Sequence, residues 1–202
     1  LILLNTQYGV EVGTHNHFRY TEKFNKPIIF VTNQLDHEKS DFDKTLEQLK
    51  ENYGSKVVLI QCPVTVGPQF NAVVDVLKMK MYRWKPEGGV PEVLEIPDSE
   101  IEKAQEYHNA LVESAAEHDE ALMEKFFDQG SLDEEEMRMG IRKGMLHRDM
   151  FPVFCVSAGK DMCVRRLMEF VGNVSPSVNV TEKPQTKDGK EMLLYQAVLA
   201  FN

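Results

Sequence analysis

Apolar runs and helical spacings alternate over the first quarter of the chain. Leu1–Asn5 and Pro27–Asn33 are almost continuously apolar, which is typical of strands covered on both faces of a parallel sheet. A helix is predicted over about residues 13–24, and another begins at 40–43 and ends at Gly54. Strand, helix, strand, helix in this order predicts an α/β fold with a doubly wound parallel sheet.

The next part of the chain departs from this order. Residues 56–62 and 70–84 are strand-like, and the second segment alternates in part between apolar and polar positions. Turn residues at 67–68 and at 86–89 separate the strand-like segments. This pattern predicts an antiparallel meander and not a continuation of the parallel sheet.

Two helices are predicted to follow the meander. Ser99 with Glu102, and Ser131 with Glu134, have the spacing of capping boxes, which open helices. From Phe151 onwards the α/β pattern returns, with the buried strand FPVFCVSA followed by an apolar helical stripe.

These patterns divide the 202 residues into an α/β domain interrupted by an α+β insert. A linker-like stretch and an apolar segment that resembles the first strand of a following β-barrel domain complete the chain. The predicted parts are the α/β domain at 1–55 and 149–174, the insert at 56–148, the linker at 175–190 and the start of the next domain at 191–202.

Charge and cysteine content exclude several classes of protein. A net charge of −9 argues against an extended nucleic-acid-binding face. Three cysteines without a CxxC pair argue against a disulfide framework and favour the reducing cytoplasm, and Cys155 is interpreted as a small core residue. The sequence contains no run of about 20 apolar residues, so no membrane helix is predicted. The spacing of possible ligands predicts no metal site.

Polar tetrapeptides follow two of the predicted parallel strands. NQLD begins at Asn33 and SAGK begins at Ser157. Asn and Asp are common turn residues, so each tetrapeptide alone is weak. Ligands of open α/β sheets bind beyond the carboxyl ends of strands, where two such loops can surround a planar base.

The chemistry of the two loops suits guanine. Asp36 can accept N–H groups from the ring N1 and the exocyclic amine, which adenine does not offer together. Asn33 can donate to N7 and brace the neighbouring loop, and the backbone N–H of Ala158 can meet O6. Such a site would reject adenine, whose binding would leave buried polar groups unpaired.

NQLD and SAGK resemble the fourth and fifth guanine-recognition motifs of translational GTPases. The chain resembles elongation factor G in particular, because four of its segments are similar to that family's G domain and inserted G′ subdomain in collinear order. They are QYGVEVGTHNHFRYTEKF, FNAVVDVLKMKMYRW, YHNALVESAAEHDEALMEKF and IRKGMLHRDMFPVFCVSAGKD.

The resemblance implies a P-loop NTPase-like parallel sheet that is truncated at its N-terminus. It implies that Asn33 and Asp36 contact the base, and that Ser157, Ala158 and Gly159 form the loop around O6. Gln34 replaces the usual Lys, whose stem lies along the base, so a weaker grip on the nucleotide is expected.

The phosphate-binding motifs GxxxxGK[ST] and DxxG do not occur in the 202 residues. In the family, the phosphate loop and the Mg²⁺ site lie upstream of these segments. The parent protein is therefore expected to bind GTP and GDP and to hydrolyse GTP during ribosomal translocation, whereas this chain holds no catalytic residue and is expected to be inactive alone. The alternatives are a ribosome-docking factor with weak or no GTP turnover and a ribosomal protection-type relative.

An acidic segment forms part of the predicted insert. Residues 95–138 hold fifteen acidic and three basic side chains, a net of −12, so the rest of the chain is slightly basic. The composition fits a solvated helical face. The resemblance implies instead that the G′ helices face the ribosomal stalk, where acidic side chains would attract a basic stalk domain. The candidates for this contact are Glu102, Glu106, Glu113 and Glu117.

The resemblance also places the phosphate-loop strand beside Leu1–Asn5. Without that strand, Leu1–Asn5 would present an unpaired apolar edge, so self-association of this chain through the edge is expected.

Overall fold

The computed structural model describes residues 1–176, which contain two four-stranded sheets and six α-helices. The predicted start of a following domain at 191–202, and nearly all of the linker predicted at 175–190, lie outside the described residues. The strands are β1 Ile2–Asn5, β2 Phe30–Asn33, β3 Val57–Leu59, β4 Gln61–Pro63, β5 Ala72–Asp75, β6 Lys80–Lys85, β7 Gly88–Leu94 and β8 Phe151–Cys155. The helices are α1 Val12–Lys23, α2 Phe42–Tyr53, α3 Asp98–Ala116, α4 Glu120–Gln129, α5 Glu134–His147 and α6 Val164–Asn173.

The first sheet is parallel and has the strand order β1-β2-β8-β3. Strand β8 therefore enters between β2 and β3 after an excursion of about 90 residues. The central residues Phe30 and Val153 are fully buried, as expected for a strand covered on both faces. Strand β1 is one of the two edge strands, and it differs from the central strands because its Leu3 is 60% exposed.

The second sheet is an antiparallel meander in the order β4-β5-β6-β7. The meander was predicted to include all of residues 56–62, but Val57–Leu59 pairs in parallel with β8 and belongs to the first sheet. Only Ile60 separates β3 from β4, and its N–H donates to Val153 at 3.1 Å while its carbonyl accepts from Val76 at 2.9 Å. One nearly continuous segment therefore passes from one sheet into the other, which the alternation pattern does not reveal.

Helix α2 begins and ends where its capping residues require. Asp41 accepts a hydrogen bond from the Lys44 N–H at 3.0 Å, and Gly54 follows the helix with φ of +78°. The predicted helix over about residues 13–24 is α1, one residue earlier.

The capping boxes predicted at Ser99 and Ser131 are wrong. Helix α3 begins one residue before Ser99, after the extended Pro97, and makes no side-chain cap. Helix α5 is opened by Asp133, whose carboxylate caps Glu136 in a complete capping box. Asp is as good an N-cap as Ser, so residue types alone did not separate the two choices. Helix α4 was not predicted, and α5 ends at His147.

Helices α3 and α5 pack closely at Gly140. A Cβ added there would overlap the carbonyl oxygen of Ala115 in α3, both residues being buried. The helices can approach at this point because Gly140 has no side chain, although glycine lowers helix propensity.

The substitution Gly140→Ala is expected to lower the free energy of unfolding by about 2 kcal/mol, because overpacking outweighs the gain in helix propensity. The matched control is Gly172→Ala in α6, where an added Cβ meets nothing within 4 Å and stability should rise by about 0.5–1 kcal/mol. Urea denaturation of both variants measures the difference. Equal effects of the two substitutions would contradict the packing role of Gly140.

Candidate functional site

The NQLD loop (Asn33–Asp36) and the SAGK turn (Ser157–Met162) lie side by side at the carboxyl edge of the parallel sheet. They follow β2 and β8, which are adjacent strands. The Val156 N–H donates to the Thr32 carbonyl at 2.9 Å, which extends the pairing to the point where the two loops begin. The sheet therefore brings together tetrapeptides that are about 120 residues apart in sequence.

Two hydrogen bonds join the loops directly. The backbone N–H of Ala158 donates to Asn33 Oδ1 at 3.0 Å, and the Ser157 hydroxyl donates to Asp36 Oδ1 at 2.7 Å. In addition, Lys160 Nζ lies 3.5 Å from Asp36 Oδ2. This last separation exceeds a normal hydrogen bond, so Oδ2 retains acceptor capacity for another donor.

The NQLD loop is held by its backbone and by one apolar anchor. Leu35 is fully buried, and its carbonyl accepts from the Ser40 hydroxyl at 3.0 Å and from the Gly67 N–H at 2.7 Å. Gln34, between the two candidate base-binding side chains, has φ of +64° and is exposed. The buried Leu35 and the left-handed Gln34 together turn Asn33 and Asp36 towards the SAGK turn.

The SAGK turn closes on itself. Ser157 and Met162 exchange backbone hydrogen bonds at 3.2 and 3.0 Å, and Asp161 adopts a left-handed conformation with φ of +52°. Ser157 and Met162 are buried, whereas Ala158 and Gly159 are exposed at the tip. The turn therefore presents backbone groups of small residues to solvent beside Asp36.

The Asp36 carboxylate is stabilised in its ionised form. Partial burial raises its pKa, but the hydrogen bond from Ser157, its own backbone N–H and the charge of Lys160 outweigh burial and hold the pKa below the usual 3.8. Asp36 is therefore an anionic acceptor at neutral pH, suited to a ligand that offers N–H donors.

The sequence analysis did not identify Thr6 and Gln7, which contact the NQLD loop. Gln7 Nε2 donates to Gln34 Oε1 at 3.1 Å, and both the N–H and the hydroxyl of Thr6 donate to the Asn33 carbonyl, at 3.2 and 3.0 Å. The signal that could have found them is positional, since they follow β1, whose last residue Asn5 pairs with Asn33. Gln34, which stands where the family usually has Lys, is thus held by a neutral amide.

The four predicted docking residues lie apart from the sheet edge. Glu102, Glu106 and Glu113 are carried by α3, Glu117 caps its C-terminus, and all four are exposed. Within the described part of the chain, none of them has a Lys or Arg partner within 4 Å. Other acidic residues of the same segment are paired, among them Asp119 with Lys143 and Glu136 with Lys125.

The cysteines do not form a reactive centre. All three are buried and free, and burial raises the pKa of the Cys62 thiol to about 11 and the pKa values of Cys155 and Cys163 well above the usual value. Across residues 1–176, no group of three or more His, Cys, Asp or Glu side chains could hold a metal ion. In the same range, no helix combines the length and apolarity needed to cross a membrane.

The parallel sheet carries two hydrogen-bonded loops at its carboxyl edge, where open α/β sheets bind their ligands. The chain belongs to the family of elongation factor Tu GTP-binding domains, because the model of that family matches residues 1–177. The predictions of a G-domain-like α/β fold and of a translational GTPase domain are therefore confirmed.

A crystal structure of a protein from Thermus thermophilus is similar to this chain, with a TM-score of 0.77 and 25% sequence identity. The match covers 87% of this chain and 26% of the other. This chain thus spans about a quarter of the length of the protein it matches.

Proposed function

We propose that the NQLD loop and the SAGK turn recognise the guanine base of GTP and GDP. The observation that carries the proposal is the pair of hydrogen bonds between the loops, which fixes Asp36 as an ionised acceptor beside the exposed backbone of Ala158 and Gly159. An acceptor-only carboxylate suits the adjacent N–H donors of guanine and leaves adenine without a matching pair. The Ala158 N–H, predicted to reach O6, donates here to Asn33, so the amide of Gly159 is the free backbone donor nearest in sequence.

The proposal extends to the function of the whole protein. We infer an elongation factor G-like translational GTPase that acts in the cytoplasm and promotes ribosomal translocation. Residues 1–55 and 149–174 would be part of its G domain and 56–148 its G′ subdomain, although the parallel sheet itself continues to Leu59. The Mg²⁺ site and the phosphate loop would belong to a segment upstream of this chain, and turnover of GTP would need that segment.

Calorimetric titration tests base recognition. GDP, with ADP as the control, is titrated into this chain and into a version extended upstream through the expected phosphate loop. We expect selective GDP binding by the extended version and much weaker binding by the chain alone, because the phosphate-binding motif GxxxxGK[ST] does not occur in the 202 residues. Absence of GDP binding by both proteins would overturn the proposal.

A second function is favoured by Gln34. Gln34, hydrogen-bonded to Gln7, supplies neither the long aliphatic stem nor the positive charge of the usual Lys. A weaker grip on the nucleotide is expected of a ribosome-docking factor with weak or no GTP turnover. Ribosome-stimulated phosphate release from the full-length protein separates this function from a translocating GTPase. A ribosomal protection-type relative would differ from a translocating GTPase in its domains other than the G domain.

The unpaired carboxylates of α3 are proposed to attract a basic domain of the ribosomal stalk. We expect neutralisation of all four to slow association with ribosomes about tenfold at low salt, and less as salt rises. Stopped-flow association kinetics measure this effect. The substitutions are Glu102→Gln, Glu106→Gln, Glu113→Gln and Glu117→Gln.

The control removes the same charge from exposed positions elsewhere on the molecule. An equal slowing by the control set would show a net-charge effect and contradict a docking surface. The control substitutions are Glu22→Gln, Glu38→Gln, Glu47→Gln and Glu51→Gln.

The edge strand β1 is proposed to pair with a second copy of this chain. Leu1 and Leu3 are 61% and 60% exposed on this edge, and an apolar edge strand invites strand addition. Leu3→Lys is expected to abolish concentration-dependent association in light scattering, whereas Met168→Lys, at a 58% exposed position of α6, should not. A strictly monomeric chain at high concentration would contradict this expectation.

A further inference from the structure

The inserted sheet contacts both loops of the candidate guanine site. One contact is made by the turn Gly67–Gln69, between β4 and β5, and the other by the β6–β7 hairpin. Neither contact follows from the motifs, because the insert is separate from NQLD and SAGK in sequence. Both contacts involve a glycine with positive φ.

The first contact supports the NQLD loop. The Gly67 N–H donates to the Leu35 carbonyl at 2.7 Å and lies 3.1 Å from the Ser40 hydroxyl, which donates to the same carbonyl. Leu35 lies between the two candidate base-binding residues, so its position sets theirs. The insert thereby supplies a hydrogen bond that the loop does not make within the parallel sheet.

The second contact supports the SAGK turn. Gly88, at the start of β7, lies so close to Lys160 that a Cβ added to it would overlap the Lys160 carbonyl oxygen. The hairpin is fixed at this position by Trp84, whose indole N–H donates to the Gly89 carbonyl at 3.0 Å and whose side chain is buried. Gly88 therefore limits how far the Lys160 backbone can move towards the insert.

An ion pair between the partly buried Arg166 and the buried Asp75 links the helix after the SAGK turn to the inserted sheet. Arg166, in the first turn of the helix that follows SAGK, contacts Asp75 of β5 at 2.5 Å and lies 4.6 Å from the ring centroid of Tyr82 in β6. The distance between the SAGK turn and the hairpin is therefore set at two points, at Gly88 and at Arg166.

We propose that the inserted sheet is a positioning element of the guanine site, with the β6–β7 hairpin fixing the SAGK turn through Gly88. The expected effect of the hairpin on GDP affinity rests on the proposed function. Its expected effect on the conformation of the SAGK turn does not. A displacement of the hairpin would move the Ala158–Lys160 backbone relative to Asp36 and change the affinity for the base.

The test compares Gly88→Ala with Gly89→Ala in the full-length protein. Both glycines have positive φ, at +78° and +89°, so both substitutions introduce similar backbone strain. Only Gly88 faces the Lys160 carbonyl, since a Cβ on Gly89 meets nothing within 4 Å. The difference between the two variants therefore isolates the contact from the strain.

Two measurements are made on each variant. The first is hydrogen exchange of the Met162 amide, which donates to the Ser157 carbonyl within the turn, in nucleotide-free protein. The second is the GDP dissociation constant. We expect Gly88→Ala to speed exchange about tenfold relative to Gly89→Ala and to weaken GDP about tenfold.

The outcomes distinguish the two proposals. If no protein, including the wild type, binds GDP, guanine recognition fails, and the exchange comparison alone decides whether the hairpin positions the turn. If the Met162 amide exchanges equally in both variants, the positioning role is overturned. Should Gly88→Ala fail to fold, Trp84→Phe, which removes the hydrogen bond to Gly89, should give a smaller change in the same direction, and unchanged exchange there would also overturn the proposal.

Discussion

Asp36→Asn is expected to weaken GDP binding of the full-length protein about 10³-fold, or ~4 kcal/mol. The carboxylate can accept two N–H groups, whereas a side-chain amide presents one acceptor and one donor, and the donor would face the exocyclic amine of guanine. The Ser157 hydroxyl can still donate to the Asn oxygen, so the loops stay joined and the loss should be in ligand recognition. Calorimetry or fluorescent-nucleotide displacement measures the affinity.

Xanthosine diphosphate provides the decisive control for this prediction. Xanthine carries a carbonyl oxygen where guanine carries its amine, so it matches the donor and acceptor of an Asn side chain. We expect Asp36→Asn to prefer xanthosine diphosphate to GDP. Asp43→Asn, at an exposed carboxylate in the first turn of α2, should leave both affinities within about twofold. A variant that loses both nucleotides equally would indicate a damaged loop and would contradict base reading by Asp36.

The pH dependence of GDP affinity follows from the same carboxylate. Because hydrogen bonds and Lys160 lower the pKa of Asp36 below 3.8, the group stays ionised at all pH values above about 5. A lowered folded-state pKa gives stabilisation that is complete above the unfolded pKa and is lost as pH falls through the folded value. GDP affinity should therefore be flat between about pH 5 and 8 as far as Asp36 is concerned.

The candidate site was predictable because it depends on strand ends. Asn33 and Ser157 each follow a continuously apolar segment, and parallel strands place their carboxyl ends at one edge of a sheet. The pattern did not show that β1 also ends at this edge with Thr6 and Gln7, since their role depends on the register between Asn5 and Asn33.

The role of the insert was not predictable from patterns of residues. Residues 56–62 read as one strand of a meander, yet the structure divides them between two sheets at Ile60, because neighbouring strands and not local alternation decide the pairing. Similarly, Gly88 reads as an ordinary turn glycine, and only the tertiary fold places it against Lys160. Local sequence determines the type of a turn. Which distant residues the turn packs against depends on the tertiary fold.

An ion pair between Arg166 of α6 and Asp75 of β5 links the parallel-sheet domain to the inserted sheet. The Asp75 side chain is 3% exposed and also accepts from the Lys78 N–H at 2.9 Å. Removing one partner of a buried ion pair leaves a charge that is neither hydrated nor compensated. The residues are 91 positions apart in sequence, so the pair joins the insert to the parallel-sheet domain.

Arg166→Met is therefore expected to lower the free energy of unfolding by about 3–5 kcal/mol at neutral pH, measured by urea denaturation. Adding Asp75→Asn should recover a large part of this loss, because the uncompensated charge is then absent. Arg165→Met is the matched control, since Arg165 neighbours Arg166 on the same helix but has a 76% exposed side chain that meets Glu169 at 3.5 Å. Its effect should stay below about 1 kcal/mol.

The pH dependence of the Arg166→Met variant identifies the cause of the loss. Burial raises the pKa of Asp75, and Arg166 opposes that rise in the wild type. Without Arg166 the pKa of Asp75 rises further, so the folded variant binds a proton at a pH where the unfolded chain does not. A raised folded-state pKa makes the free energy of unfolding increase as pH falls through that value. The difference in the free energy of unfolding between Arg166→Met and Arg165→Met should therefore narrow as the pH is lowered from neutrality. A difference that is constant with pH would mean that lost packing, and not the unpaired Asp75 charge, causes the loss of stability where the inserted sheet meets the domain that carries the NQLD loop and the SAGK turn.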